Sequence, residues 1–111
     1  MNGLTTHVLD LANGRPASGV AIRLLRDGQL LARTETNADG RCDGPLVHSL
    51  EAGVYRLEFD VGDYFRRQGM VLPDPAFVDT AVIEFGVADP AVHYHVPLLV
   101  SPYGYSTYRG S

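Results

Sequence analysis

Four histidines, nine cationic side chains that are all arginine, and no lysine define the proton chemistry open to this 111-residue chain. Without lysine, Schiff-base and amine-base routes are closed, and histidines and carboxylates remain. His93 and His95 stand two residues apart in VHYHVPLLV, and His7 sits in LTTHVLDL. Successive side chains of a strand point to opposite faces. That alternation puts His93, His95, Pro97 and Leu99 on one face and Val92, Tyr94, Val96, Leu98 and Val100 on the other, which is the core face. In the first run Thr5, His7, Leu9 and Leu11 share a face, so His7 also projects outward. Imidazole changes charge near neutral pH, and a pair can activate a water and pass its proton on. The plainer reading of a single histidine is a hydrogen bond to a neighbouring carbonyl, and His48 in PLVHSLEAG receives it.

An arginine beside such a pair would hold an anionic substrate or a developing oxyanion. Arg41 in NADGRCDG fits, because Asp39-Gly40 and Asp43-Gly44 form turns on both sides of it. The alternative for Arg41 is an ordinary solvated cation. Cys42 has no partner base at a recognisable spacing and reads as an inert small side chain. Three histidines with an open fourth position would also suit zinc, but no cysteine or acidic ligand follows at metal-site spacing, so no metal is assigned.

The elements that must carry these residues are strands. Seven prolines, twelve glycines and short β-branched runs between turn signals favour an all-β domain. In VAIRLLRDGQLLARTET, Asp27-Gly28 predicts a type I′ hairpin between strands near 19–26 and 29–36. VYRLEFDV places Tyr55, Leu57, Phe59 and Val61 on one face and Arg56, Glu58 and Asp60 on the other. TAVIEFGV does the same with Ala81, Ile83, Phe85 and Val87. Between them DVGDYFRRQG predicts a short helix with Asp60 and Asp63 as caps and Gly69 beyond its end, and MVLPDPAF is a loop. Strands with one apolar face each pack as two sheets. The expected fold is a two-sheet β-sandwich of seven to eight strands with one short helix, one domain spanning 1–111.

Composition narrows the partners. A formal net charge of −4 at pH 7 opposes nucleic-acid binding, which relies on basic surface. The N-terminus has neither a basic region nor an apolar run, and no segment reaches membrane-spanning length, so a soluble cytoplasmic protein without membrane partners is expected. One cysteine agrees with a reducing compartment. The histidine face mixes in proline and leucine where a solvated sheet would carry charge, which suggests cover by another subunit.

The chain closes on HYHVPLLVSPYGYSTYRGS, its most aromatic stretch, where a frayed end would be nondescript. LTTHVLD, DGR, HYHVPLL and the terminal YRGS, in that order, resemble the 5-hydroxyisourate hydrolases, transthyretin-like enzymes of urate breakdown, across essentially the whole length. The resemblance implies a transthyretin-like protomer in a homotetramer, a dimer of dimers with active sites where the dimers meet. It implies hydrolysis of the cyclic amide of 5-hydroxyisourate to 2-oxo-4-hydroxy-4-carboxy-5-ureidoimidazoline without metal or cofactor. His7, Arg41, His95 and Ser111 would be catalytic, and His7, Arg41, Tyr108 and Ser111 would bind the substrate. Tyr103 and Tyr105 would anchor the last strand while Tyr108 to Ser111 reach the site. Transthyretin itself shares the fold but lacks the histidine pair and YRGS, which disfavours a hormone carrier; a binding module of the sandwich type is the competing class.

Overall fold

The structure is a computed structural model that describes residues 3–110. Ten strand segments and one helix follow in the order β1 (Gly3–Thr5), β2 (Val8–Asp10), β3 (Arg15–Pro16), β4 (Ala21–Arg26), β5 (Gln29–Glu35), β6 (Gly53–Asp60), α1 (Val61–Arg67), β7 (Thr80–Val87), β8 (His93–His95), β9 (Leu98–Ser101) and β10 (Gly104–Thr107). One antiparallel sheet runs β5-β4-β6-β7 and the other β10-β9-β2-β3, with β1 and β8 pairing alongside as a parallel ladder. The two-sheet sandwich with one short helix is as expected. Its strand number also agrees once β1 with β2, and β8 with β9, are each read as one interrupted strand.

The hairpin β4–β5 turns on Asp27 (φ 52°) and Gly28 (φ 75°), the paired left-handed conformation of a type I′ turn. Alternation then sorts β6. Tyr55, Leu57 and Phe59 enter the core, while Glu58 and Asp60 face outward and receive Arg23 of β4 at 3.0 and 2.9 Å. Between the sheets Leu4, Val8, Ile22, Leu24, Leu57, Phe59, Leu98 and Val100 are fully buried. Each such side chain contributes about 1.5–3 kcal/mol on burial.

The helix is where expected, but its caps are not. Asp60 occupies the N-cap position without a side-chain cap bond, because both carboxylate oxygens accept from Arg23 at 2.9 Å. The Asp79 backbone carbonyl serves instead, accepting from the Val61 and Gly62 amides at 3.1 and 3.0 Å. Asp63 lies inside the first turn, where its charge favours the helix dipole. Tyr64 of this helix donates to the buried Asp10 of β2 at 2.7 Å, which fixes α1 against the strand that follows His7.

The run from Val92 to Val100 is not one strand. Pro97 lacks the amide that a ladder needs, and the chain breaks at Val96-Pro97 before re-entering the sheet as β9. Val92 is 39% exposed, not core, because it precedes β8 and has no strand partner. Pro97 is buried, not outward-facing. The first strand breaks at the same level, between Thr5 and Val8, and the two interruptions are stitched by Val96 N–H to Thr5 O and Leu98 N–H to His7 O, both 2.9 Å. The Thr6 hydroxyl donates to Val96 O at 2.6 Å.

Candidate active site

The paired breaks free His7 from its own sheet, and a loop takes its place beside it. His7 and Arg41 meet as an isolated antiparallel bridge, and His95 makes a second one with Gly110. Residues that lie 34 and 15 positions apart in the chain are thereby fixed by backbone contact.

The loop carrying Arg41 is organised by Asn37, which the sequence reading did not single out. Its side-chain oxygen accepts from the Asp39 and Arg41 amides at 2.9 and 3.2 Å, and its amide nitrogen donates to Asp43 at 2.9 Å. Asx turns of this kind are local signals that a closer reading of NADG would have found. Gly40 sits at φ +74°, and a Cβ there would meet Val8 O at 2.5 Å, so only glycine allows this loop to approach β2. The Arg41 guanidinium is exposed and has no ion-pair partner among the described residues, whereas Arg23, Arg26, Arg56 and Arg66 all have carboxylates. A cation left free beside two histidines is suited to an anionic ligand.

The tautomer of His7 follows from its partner. Nε2 lies 2.9 Å from the Asp39 carbonyl, an oxygen that only accepts, so Nε2 carries the proton. In the neutral ring the lone pair is then on Nδ1. His95 Nδ1 and His93 Nε2 both lie 2.8 Å from the Thr5 hydroxyl, and Nε2 of His95 makes no side-chain hydrogen bond among the described residues. Burial, with smaller electrostatic contributions from Arg41, His7 and His93, pushes the His95 imidazole below its ordinary value of 6.5. It is therefore neutral, and able to accept a proton, at pH 7. His93 and His95 point at a threonine instead of a common vacancy, and among the described residues no group of three or more His, Cys, Asp or Glu is placed to hold a metal.

A cleft of about 340 Å³ opens between Thr5, Thr6, Arg41, Cys42, Gly44 and Pro45. Two larger concavities, about 400 and 480 Å³, flank the Asp27-Gly28 turn. The 340 Å³ cleft is distinguished by Thr5, whose hydroxyl bonds to His93 and His95, and by Arg41, whose backbone bridges to His7. Cys42 lines it, yet burial raises its thiol above the usual range and keeps it protonated. His48 is exposed.

The C-terminal residues are held. Tyr105 bridges the sheets, accepting from the Val82 amide at 3.2 Å and donating to the Val82 carbonyl at 3.1 Å, and Tyr103 leans on Phe77 with ring centroids 6.1 Å apart. Arg109, expected to reach the substrate, stands over the Tyr94 ring at 4.3 Å, a cation–π contact. Gly110 donates its amide to His95 O at 2.8 Å, and a Cβ on it would meet His95 Cδ2 at 2.5 Å. Tyr108 is 58% exposed, on the rim of a second, smaller recess with Tyr94, Val96 and Arg109. Ser111 lies outside the described residues.

A model of the HIUase/Transthyretin family matches residues 4–110. The chain belongs to this family. The 5-hydroxyisourate hydrolase of Mesorhizobium japonicum is 60% identical over 97% of this chain and 91% of that one. The solved 5-hydroxyisourate hydrolase of Klebsiella pneumoniae matches with a TM-score of 0.86 at 40% identity, covering 100% of both chains. Sea bream transthyretin in complex with thyroxine has nearly the same fold, at a TM-score of 0.83, but 32% identity over 96% of this chain and 93% of that one. The HIUase/Transthyretin fold thus serves a hydrolase and a thyroxine-bound protein alike, and the side chains at the site must distinguish them.

Within this family member, a chain ending at Thr107 would lose the Arg109–Tyr94 contact and one backbone hydrogen bond, each worth about 1 kcal/mol, and no core side chain. It should stay folded with a melting temperature lower by several degrees. If Tyr108 to Ser111 wall the site, hydrolysis should fall on the order of a hundredfold. Calorimetry and a rate assay on the same preparation check both, and full activity in the shortened chain would remove the terminus from the site.

Proposed function

We propose that this chain hydrolyses the cyclic amide of 5-hydroxyisourate, giving 2-oxo-4-hydroxy-4-carboxy-5-ureidoimidazoline. The observation that carries this reading is the 60% identity to an enzyme of that name over nearly the full length, against 32% to transthyretin. The geometry supplies a mechanism. His95 Nε2 takes a proton from a water that His7 Nδ1 orients, and the water attacks the ring carbonyl carbon. The oxygen that becomes anionic lies beside the Arg41 guanidinium, which also holds the anionic substrate. Collapse breaks the ring C–N bond, the departing nitrogen takes up the proton held on His95 Nε2, and the carboxylic acid left behind ionises to a carboxylate. Tyr108 and Ser111 hold the ring by hydrogen bonds. Neither metal nor cofactor enters these steps.

The reading includes residues 1–111 as one domain, around a single continuous core, in a cytoplasmic setting that suits the free Cys42. It also includes a homotetramer, a dimer of dimers. Support for assembly comes from the half-buried His93, His95 and Leu99 face and from exposed Phe77, Tyr103 and Tyr105, apolar surface that a monomer would leave wet. Light scattering at micromolar concentration should give about four times 12.1 kDa, and a monomer would contradict it. No helix among the described residues is long and apolar enough to cross a membrane.

The test of the activity uses freshly generated 5-hydroxyisourate, whose absorbance decays on its own. Protein at catalytic concentration should accelerate the loss in a saturable way. A decay no faster than in buffer, with thyroxine binding detected by calorimetry, would move the chain to the carrier reading.

A further inference from the structure

The Thr5 hydroxyl occupies a position that the hydrolytic mechanism above leaves unused. Gly3 to Thr5 pairs in parallel with His93 to His95, Thr5 opposite His95. Since His93 and His95 share a face of β8, the hydroxyl lies within reach of both rings, and it bonds to both at 2.8 Å. A threonine hydroxyl has one proton. It can donate to one of these nitrogens only and must accept from the other, so the protonation states of the two imidazoles are locked together.

We propose that Thr5 and His93 form a proton relay behind His95, deepening the reading in which His95 is the general base. Before reaction His95 carries its proton on Nδ1 and donates it to Thr5 Oγ1. The Thr5 proton points to His93 Nε2, and the lone pair of His95 Nε2 faces the water. When Nε2 accepts the proton of the water, the Nδ1 proton moves to Thr5 Oγ1 and the Thr5 proton moves to His93 Nε2. One proton has entered the chain at His95, and one positive charge has arrived on His93. His95 then carries its proton on Nε2, and Thr5 is an unchanged alcohol. When the departing ring nitrogen takes that Nε2 proton, His93 Nε2 returns its proton through Thr5 Oγ1 to His95 Nδ1, and the starting tautomers are restored. The direction is set by charge. Among the described residues Arg41, on the loop packed against the site, and His7, on the neighbouring strand, bear on His95 together with His93 itself. A cation retained on His95 would oppose Arg41, whereas moving it along the strand relieves that repulsion. Thr5 is thus a positioning residue that acts through His95.

Thr5→Val keeps the shape and removes the hydroxyl, and Thr5→Ser restores it. The valine variant should lose on the order of tenfold in kcat, the rate equivalent of one net hydrogen bond, with KM nearly unchanged, and the serine variant should recover most of it. His93→Asn should show the same kcat loss, and combining it with Thr5→Val should add little, since both interrupt one path. A proton inventory in mixed light and heavy water should be curved in the wild type and closer to linear in the valine variant. Nitrogen NMR should show the Nδ1-protonated neutral tautomer of His95 in the wild type and a mixture in the valine variant. If the Thr5→Val protein is poorly folded, His93→Asn alone carries the test through the same kcat and inventory readouts. Wild-type kcat in both variants, or a serine variant as slow as the valine one, would overturn the relay. If His95→Asn also retained full activity, the fault would lie with the assignment of the base; a dead His95→Asn beside a fully active Thr5→Val would reject the relay alone.

Discussion

His95→Asn should lower kcat by roughly 10²- to 10⁴-fold, the range for loss of a positioned general base, in a protein that still folds. Asparagine can keep a hydrogen-bonding atom where Nδ1 meets Thr5 Oγ1 at 2.8 Å while removing the free Nε2. The backbone bond from Gly110 to His95 O does not depend on the side chain, so the C-terminal residues should stay in place. Melting temperature should shift by a few degrees at most, and KM should rise little, because this ring acts mainly on the water. A fall in kcat/KM carried entirely by KM would make His95 a binding residue instead.

Arg41→Gln should cost about 10²- to 10³-fold in kcat/KM, comparable to removing one oxyanion donor, and should raise KM as well, since the same guanidinium attracts the anionic substrate. Its effect on stability should be small: the bridge to His7 is made by the backbone of Arg41, and the side chain has no ion-pair partner among the described residues. A second consequence separates electrostatics from mere contact. Arg41 is one of the positive charges that, after burial, hold the His95 imidazole below its ordinary value. Removing it makes protonation easier, so His95 should titrate at higher pH, and the acidic limb of the residual activity should move upward. An unchanged His95 titration would mean that the guanidinium stands too far from the ring to stabilise charge there.

Much of this molecule could be read from local pattern. The Asp27-Gly28 hairpin was legible because the turn chemistry is contained in two residues, and β6 and β7 because alternation is a property of each strand by itself. The features that escaped depend on distant partners. Asp60 has the right type and place for a helix cap, but Arg23, 37 positions earlier, binds its carboxylate, and nothing near Asp60 announces that competitor. Val92 fits the apolar row of VHYHVPLLV, yet the strand begins after it. Pro97 signals a break that unbroken alternation conceals.

The site divides in the same way. Residue type and turn flanks pointed to His7, Arg41 and His95, and the resemblance ordered them. Their meeting, and the convergence of His93 on Thr5, required the parallel pairing of chain segments 90 residues apart. The setting of Arg109 is hidden for a related reason: only the fold places the Tyr94 ring beneath it.

A neutral His95 that serves as the base is the centre of the proposed chemistry. Its most direct test is to measure kcat/KM for 5-hydroxyisourate from pH 5 to 8 and to titrate His95 by NMR in the same buffer. A base lowered from the ordinary 6.5 by burial and by Arg41 predicts that activity is level near neutrality and falls on acidification. The midpoint should lie below 6.5 and coincide with the His95 titration. A rate that stays flat down to pH 5 while His95 becomes protonated, or an activity midpoint separated from that of His95, would contradict it.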